Sequence, residues 1–482
     1  MAVLSSLEPN KVFQYFEEIS QIPRPTFQEK AISDYLVSFA ENHHFEYHQD
    51  GIYNVIIIKE ASEGMEDKEP IILQSHMDMV CEKDSSCQID MQMNGLDLFV
   101  DGDYIGAKGT TLGADDGIGV AMSLAILDDD SIRHPRIEFI CTVSEESGME
   151  GATALDVSPV KGKRLINIDS EEEYIFTAGC AGGVRAEITL PVSRYDVVGT
   201  KIDIIVEGCT GGHSGTEIHK NRTNATLAVV EMLNGLVHKK FPFSIISFTG
   251  GNKDNAIPRQ AYCSIVTDND KINHVVNYLN MSAGDITRRV SMTDPNIKIN
   301  VTAETVNTFI ALDVESTKRV MDFLTSVPNG VEKMNPDIPD LVQTSLNLGI
   351  MSLVTDELHT NCLLRSSCEK DLDELLARIQ SIAESLGGTM TSTGRYAAWE
   401  FNPDSNLRQK MEIIYKDIYG KKPVTDVIHA GLECGIISSK IPGIDCVSVG
   451  PTILDIHTPQ ERLSISSTQR MYKFLVKVVE EI

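Results

Sequence analysis

The chain has 482 residues, of which 42 are Lys or Arg and 70 are Asp or Glu, so its formal net charge is −28. An acidic balance of this size argues against nucleic-acid binding, because phosphates attract basic surfaces. Hydrophobic residues make up 42% of the sequence and charged residues 23%, which is typical of a folded protein. A chain of this length predicts about two to four domains.

The first twenty residues predict an amphipathic helix rather than a signal peptide. Val12, Phe13, Phe16 and Ile19 fall on one helical face, and Pro9 stands at the first turn. A basic segment followed by an apolar one, as in a signal peptide, is not found here. Because no run approaches about 18 apolar residues, we expect no membrane-spanning helix. Ten cysteines without a C-x-x-C pair predict reduced thiols and a cytoplasmic location.

Strands and helices alternate in the first third of the chain. Short runs rich in β-branched and other apolar residues predict strands at 54–59, 71–76, 137–143 and 165–168, and a helix at 118–127 lies between the second and third. This order predicts an α/β fold with a mostly parallel central sheet covered by helices. In such sheets ligands bind beyond the carboxyl ends of the strands.

The middle of the chain has a different pattern. A strand run at 255–266 and a helix at 271–280 resemble, in order and length, a strand run at 350–365 and a helix at 372–386. Either the middle holds two related α+β units, or two unrelated strand–helix segments look alike. After Trp399 a helix at 407–419 and a short strand at 447–449 follow. One α/β domain interrupted by an inserted α+β domain accounts for this order.

Side chains that can bind metals or move protons cluster where the predicted strands end. They are His76 and Asp78, Asp115 and Asp116, Glu145 and Glu146, Asp169, and His457 near the C-terminus. Each of them alone has an ordinary explanation as a solvated loop residue. Their shared position, at the edge where an α/β sheet forms its cleft, indicates a site.

Two imidazoles with several carboxylates favour zinc, manganese or cobalt over calcium or magnesium, which prefer oxygen ligands alone. So many acids in one place would repel each other without a cation. Two divalent ions would offset that repulsion, activate a water and polarise a carbonyl, and a carboxylate outside the ligand set would act as general base.

The motifs around these residues resemble those of the M20 di-zinc metallopeptidases, in order and over the whole chain, and within that family the branch that cleaves aminoacyl-histidine dipeptides. They are His76-Met77-Asp78, Gly113-Ala114-Asp115-Asp116-Gly117, Ser144-Glu145-Glu146-Ser147-Gly148, Asn167-Ile168-Asp169-Ser170, Gly211-Gly212-His213-Ser214-Gly215, Asn255-Ala256-Ile257-Pro258-Arg259, His429-Ala430-Gly431-Leu432-Glu433 and Gly450-Pro451-Thr452.

The resemblance implies a role for each residue of the site. Two zinc ions would be bound by His76, Asp115, Glu146, Asp169 and His457, with Asp115 bridging them. Glu145 would be the general base, and Asp78 would orient His76 through its far ring nitrogen. Manganese or cobalt would be possible substitutes for zinc.

The resemblance also implies a catalytic domain in two segments, 1–183 and 399–482, around a lid domain at 184–398. In the lid, His213 would stabilise the oxyanion of the tetrahedral intermediate. Asn255, Arg365 and Gly431 would bind the substrate.

The expected function is therefore hydrolysis of unblocked dipeptides, preferably Xaa-His, by a metal-bridging hydroxide with Glu145 as base. One alternative is an M20 amidohydrolase, aminoacylase or aminopeptidase acting on other small amides. A more remote alternative is a non-catalytic homologue that binds peptides or metals. We also expect a homodimer, in which His213 acts either on its own chain or on the partner.

Overall fold

The computed structural model describes residues 3–482 except 337 and 339. It divides into two compact units. Unit 1 comprises residues 3–180, Trp399–Val427 and Leu432–Ile482, and unit 2 comprises Ala181–Ala398 with Ile428–Gly431. One unit therefore interrupts the other in the sequence, as expected for the predicted fold class.

The strands and helices of the described residues are named here in chain order. In chain order the strands are β1 (Glu46–Gln49), β2 (Val55–Lys59), β3 (Ile71–His76), β4 (Leu98–Asp101), β5 (Tyr104–Ala107), β6 (Ile137–Thr142), β7 (Arg164–Asn167), β8 (Ile175–Cys180), β9 (Gly182–Pro191), β10 (Arg194–Glu207), β11 (Ser244–Gly250), β12 (Ala261–Thr267), β13 (Lys298–Leu312), β14 (Gly330–Met334), β15 (Val342–Leu353), β16 (Glu357–Ser366), β17 (Thr389–Tyr396), β18 (Val424–Ile428), β19 (Asp445–Ser448), β20 (Ile453–Leu454) and β21 (Arg462–Ser464). The helices are α1 (Asn10–Ser20), α2 (Lys30–Asn42), α3 (Ala114–Leu127), α4 (Glu145–Gly148), α5 (Glu150–Ala154), α6 (Ala225–His238), α7 (Ile272–Arg289), α8 (Val314–Ser326), α9 (Glu369–Ser385), α10 (Asn406–Tyr419), α11 (Glu433–Lys440) and α12 (Ile465–Glu481), with a 3₁₀ turn at Ile218–Lys220.

The main sheet of unit 1 has eight strands in the order β1-β2-β6-β3-β7-β19-β8-β18. Its four central strands, β6, β3, β7 and β19, pair in parallel, whereas β1 with β2, β2 with β6 and β19 with β8 are antiparallel. The α/β class is confirmed, and the parallel pairing is concentrated at the centre. The carboxyl ends of β3, β6 and β7 consequently lie at one edge.

Apolar side chains place the helices of unit 1 against this sheet. Helix α1 buries Val12, Phe13, Phe16 and Ile19, as its periodicity predicts. Helix α3 is apolar on all sides and is buried at every position from Gly117 onward. A helix that buries its whole circumference belongs to the interior of the unit. A smaller sheet, β20-β21-β5-β4, completes unit 1.

Unit 2 is built on an antiparallel sheet in the order β13-β10-β12-β11-β15-β16-β9-β17, with β14 added beside β15. Helices α6, α7, α8 and α9 cover it with apolar faces, and their side chains join those of the strands in one core. Strands and helices of this kind are the α+β organisation predicted for the inserted domain.

Two predicted strands differ from the structure. In the run at 255–266 the strand begins only at Ala261, because Pro258 has no N–H to donate to a neighbouring strand. The run at 350–365 is a hairpin of β15 and β16 that turns at Val354, whose N–H donates to Glu357 O at 2.9 Å. A hairpin with an apolar residue at its turn gives no Gly or Asn signal in the sequence.

Two further expectations concern the whole chain. Across the described residues, none of the helices is both long and apolar enough to cross a membrane. All ten cysteines lie in the described ranges, and each is a free thiol.

Candidate metal centre

The five side chains that the sequence predicts as metal ligands all lie in unit 1, in or near the loops that follow strands. His76 is the last residue of β3, and Asp169 follows β7 by two residues. Asp115 lies in the first turn of α3, and Glu146 lies in α4, shortly after β6. His457 stands in the loop between β20 and β21. The strand ends thus bring together residues up to 381 positions apart, since His457 and His76 differ by 457 − 76.

Asp115 lies between the two histidines. Its Oδ1 is 3.1 Å from Nε2 of His76, and its Oδ2 is 3.1 Å from Nε2 of His457. Oδ1 of Asp169 is 3.4 Å from the same His76 nitrogen, and Oε2 of Glu146 is 3.1 Å from that of His457. Two groups of three ligands therefore share the carboxylate of Asp115.

These distances suit two divalent ions. A tetrahedral zinc ion bonds nitrogen and oxygen at about 2.0 to 2.2 Å, which places neighbouring ligand atoms about 3.3 Å apart. The contacts around His76 measure 3.1 and 3.4 Å. Ligand atoms of His76, Asp115 and Glu146 also lie within 4.8 Å of one another. Imidazoles and carboxylates together fit zinc, manganese or cobalt.

Asp78 contacts both His76 and the backbone of the segment that carries Glu145 and Glu146. Its Oδ1 lies 3.3 Å from Nδ1 of His76, an ion-pair contact rather than a well-formed hydrogen bond. The same carboxylate accepts the backbone N–H groups of Glu145 at 3.0 Å and Glu146 at 3.3 Å. It also accepts the hydroxyl of Thr26 at 2.9 Å. Asp78 therefore fixes the segment that carries both glutamates as well as the histidine.

The acidic groups are crowded enough to perturb one another. Burial raises the pKa of Asp169 to about 6, and the negative charges of Asp115 and Glu146 add to the shift. Burial also raises the pKa of Glu145 well above its usual range, and Asp169 and Glu146 contribute. Burial alone would lower the pKa of His76, but Asp169 and Asp115 raise it. Cations bound among these carboxylates would offset their repulsion.

A second group of predicted residues lies in unit 2. Nδ1 of His213 accepts the backbone N–H groups of Gly215 at 3.3 Å and Thr216 at 3.2 Å. Burial, together with the charge of Arg365, lowers the pKa of His213 to about 4, so the ring is neutral near pH 7. A neutral ring whose Nδ1 accepts hydrogen bonds carries its proton on Nε2.

Arg365 is buried beside this histidine, with only 5% of its surface exposed. Its Nη1 donates to the hydroxyl of Tyr396 at 2.7 Å, and its Nη2 lies 3.5 Å from Nε2 of His213. No carboxylate among the described residues forms an ion pair with Arg365, and its Nε has no hydrogen-bond partner there. Donors from both side chains thus converge, and an anionic oxygen would satisfy them.

Asn255 and Gly431 also lie in unit 2. The carbonyl of Asn255 accepts the N–H of Ser214 at 2.9 Å, which brings Asn255 beside the turn of the predicted histidine. Gly431 is half-buried and follows His429 by two residues. A Cβ on Gly215 would lie only 2.2 Å from the carbonyl oxygen of His429, so that segment packs directly on the same turn. Unit 2 therefore holds His213, Arg365, Asn255 and Gly431, the last of which the sequence predicts in the second segment of the catalytic domain, 399–482.

Glu433 belongs to a polar cluster that the sequence does not predict. Gln74 Nε2 and Thr142 Oγ1 both donate to its Oε2 at 2.6 Å, and Asn167 Nδ2 donates to Gln74 Oε1 at 2.6 Å. Burial raises the pKa of Glu433 to about 8. Gln74, Thr142 and Asn167 lie on β3, β6 and β7, the strands that lead to candidate ligands, and Glu433 is the first residue of α11. The motif that begins at His429 contains Glu433, and this is the one sequence signal that could have pointed to it.

The acidic run of Glu171, Glu172 and Glu173 after Asp169 includes one buried member. Glu173 is buried, and its two oxygens pair with Nε and Nη2 of Arg470 at 2.6 and 2.7 Å. Sequence spacing alone could not reveal this partner, because Arg470 is 297 residues away.

Comparison with known proteins defines the class. The sequence pattern of peptidase family M20/M25/M40 matches residues 72–481. The chain belongs to this family, and it is therefore a hydrolase that acts on peptide bonds. The resemblance seen in the sequence motifs is confirmed.

Particular relatives narrow the comparison. Cytosol non-specific dipeptidase of Escherichia coli is 33% identical over 484 residues, covering 100% of this chain and 99% of that protein. The crystal structure of aminoacylhistidine dipeptidase from Vibrio alginolyticus is similar with a TM-score of 0.90 and 33% identity, covering 99% of this chain and 98% of that one. Aminopeptidase PepT from Bacillus cereus, at 17% identity and a TM-score of 0.57 over 98% and 99% of the chains, shares the fold alone.

Proposed function

We propose that this chain is a di-zinc dipeptidase that hydrolyses unblocked dipeptides and prefers a C-terminal histidine. The observation that carries the proposal is the position of Asp115, whose two oxygens each lie 3.1 Å from a different histidine. A carboxylate shared in this way is suited to bridge two cations. His76 and Asp169 would complete one ion's ligands, and Glu146 and His457 the other's.

Metal ions in these positions would lower the pKa of a bound water and polarise the substrate's carbonyl. Side chains of the protein would carry out the proton transfers. Among the described residues no hydrogen bond or ion pair joins the carboxylate of Glu145 to either histidine, so it lies outside both groups of ligands and would act as general base. It would take a proton from the attacking water and deliver it to the leaving amine. The N–H of Glu145 bonds to Asp78, which keeps the base at a fixed position next to Glu146.

In unit 2, His213 and Arg365 would bind negative charge on the substrate. Nε2–H of His213 would donate to the oxygen that becomes negative as the carbonyl is attacked. Arg365, a buried guanidinium without a carboxylate partner in the described ranges, would bind the terminal carboxylate of the dipeptide. Asn255 and Gly431 would provide further contacts to the substrate's backbone.

The substrate class rests on the relatives. The Escherichia coli protein is named a non-specific dipeptidase, and the Vibrio alginolyticus protein an aminoacylhistidine dipeptidase. Each is 33% identical to this chain over nearly its full length, which supports the same reaction here. A cytoplasmic location follows the name of the first relative, and it is part of the proposal. The homodimer remains a prediction of the sequence.

Glu145→Gln tests the role of the base. The variant should keep its bound metal, because Glu145 is not among the ligands, but lose about 10²- to 10⁴-fold in kcat, since a neutral amide cannot accept the proton. Metal content by mass spectrometry and kcat on leucyl-histidine are the measurements. Glu172→Gln, which removes an exposed carboxylate nearby, is the matched control and should turn over normally.

Near-normal turnover by Glu145→Gln would contradict the assignment of the base. A substrate panel on the wild-type protein tests the reaction class in the same experiment. Leucyl-histidine and β-alanyl-histidine should be cleaved, whereas an N-acetyl amino acid and a tripeptide should not. Cleavage of the N-acetyl amino acid alone would replace the dipeptidase with an aminoacylase.

A further inference from the structure

Glu461 is a buried carboxylate that holds the backbone of the loop carrying Asp115. It is 2% exposed. Its Oε2 accepts the N–H groups of Leu112 at 2.7 Å and Gly113 at 2.9 Å. Its Oε1 accepts those of Ala114 at 2.8 Å and Asp115 at 3.4 Å. One side chain therefore binds four successive peptide groups that lead into the bridging ligand.

Arg24 holds the same loop from another direction. The side chain is 1% exposed. Its Nη1 donates to the carbonyl oxygens of Met77 at 3.0 Å and Asp78 at 2.9 Å, and its Nη2 donates to that of Gly113 at 2.5 Å. Gly113 has a φ of 65°, and a Cβ there would lie 2.6 Å from Nη2. Only glycine leaves room for this contact.

The two side chains together connect three segments that carry candidate ligands. Met77 and Asp78 directly follow His76, Gly113 precedes Asp115 by two residues, and Glu461 follows His457 by four. The connections use backbone atoms, which leaves the ligand side chains free to bind cations.

Each of these two buried groups has partners that oppose the effect of burial on its pKa. Burial lowers the pKa of Arg24, and the negative charge of Glu461 opposes that shift. Burial raises the pKa of Glu461, and the N–H groups of Gly113, Leu112 and Ala114 oppose it. A buried charge without such partners would be strongly destabilising.

We propose that Arg24 and Glu461 are positioning residues that assemble the metal centre before the ions bind. This inference rests on the metal centre of the proposed function, and it adds two residues that touch neither metal nor substrate. Ligands already held in place lose less conformational freedom when an ion arrives, so binding is tighter. Loss of residues that orient metal ligands typically weakens metal affinity by about 10- to 100-fold.

The test compares zinc binding by the full-length wild type and Glu461→Gln, after removal of metal and titration against a chromophoric chelator. A glutamine amide would face two N–H groups with its own NH₂ instead of an oxygen. We expect the zinc dissociation constant to rise about 10- to 100-fold in folded protein, judged by far-ultraviolet circular dichroism. Glu63→Gln removes an exposed charge from the loop between β2 and β3, which carries none of the candidate ligands, and its zinc affinity should match the wild type.

Arg24→Lys is the second variant, since lysine keeps the charge but cannot reach three carbonyl oxygens at once. It should weaken zinc binding to a similar degree, and it decides the question if Glu461→Gln does not fold. Unchanged zinc affinity with a lowered melting temperature of the metal-free protein would mean a purely structural role, and would overturn the inference. A wild type that binds no zinc would instead overturn the metal centre of the proposed function, and this inference with it.

Discussion

At the scale of single residues, Glu433 should make the folding stability of the protein depend on pH. It is fully buried, and both donors that reach it, from Gln74 and Thr142, bind the same oxygen, Oε2. Its Oε1 has no hydrogen-bond partner among the described residues. A carboxyl group bonded through one oxygen only, with its pKa raised to about 8 by burial, is protonated at neutral pH.

Glu433→Gln should therefore be tolerated and should change how stability depends on pH. Between the ordinary pKa of 4.5 and about 8 the folded wild type holds a proton that the unfolded chain has lost. Stability consequently falls as pH rises through that window, by up to about 1.4 kcal/mol per pH unit. Glutamine is neutral at every pH, as protonated Glu433 is. The stability of the variant should therefore not fall in this pH range.

The measurement is the free energy of unfolding by urea at pH 5.5 and pH 8. The variant should be close to the wild type at the lower pH and more stable at the higher pH. Parallel stability curves for the two proteins would contradict a neutral Glu433.

Candidate ligands could be predicted from the sequence, whereas the residues that hold them in position could not. His76 and Asp115 could be predicted because metal ligands must be particular residue types, and these types recurred at strand ends. Arg24 and Glu433 could not, because their roles depend on which distant backbone or side-chain atoms they meet. Glu433 and Gln74, for example, are 359 residues apart.

At the scale of elements, one glycine sets how closely helix α3 approaches the sheet. A Cβ on Gly119 would lie 2.3 Å from Oδ1 of Asp116 and 2.5 Å from the carbonyl oxygen of Ile168. Oδ2 of Asp116 accepts the N–H of His76 at 3.2 Å. The close packing of α3 therefore positions Asp116, which in turn holds the backbone of His76 at the end of β3.

Gly119→Ala should destabilise the protein by about 1 to 3 kcal/mol, because the added methyl group has no space without moving the helix. Gly284→Ala in helix α7 is the matched control, since a Cβ there meets nothing within 4 Å. That change should stabilise by up to about 1 kcal/mol through helix propensity. Denaturant unfolding of both variants measures the difference, and equal effects would contradict the packing argument.

The bounds of an element could be predicted where every residue of a short run is buried. Strand β3 was predicted at 71–76 and is Ile71–His76, with all six residues buried. The hairpin of β15 and β16 was not predicted as two strands, because its turn carries Val354 and Thr355 without a glycine. A sequence pattern reveals a hairpin turn through residues such as glycine or asparagine, and this turn has neither.

At the scale of the whole molecule, the sequence predicted that one domain interrupts another. That prediction came from the return of helix and strand signals after Trp399, and from the family resemblance. The strand order could not have been obtained in the same way. Strand β19 pairs with both β7 and β8, and only tertiary structure shows that a strand from the last forty residues lies between two from the first half.

Because β19 lies between β7 and β8, the main sheet of unit 1 cannot be completed during synthesis until β19 has left the ribosome. Strand β8 pairs with β19, and its other neighbour is β18, so it has no sheet partner until the chain beyond Val424 has emerged. The sheet of unit 2 needs only residues 182–396. We therefore expect nascent chains arrested with residues up to 431 outside the exit tunnel to contain a protease-resistant unit 2 and a protease-sensitive unit 1. Released full-length chains, as the control, should resist in both units, and early resistance of unit 1 would show that its sheet closes without β19.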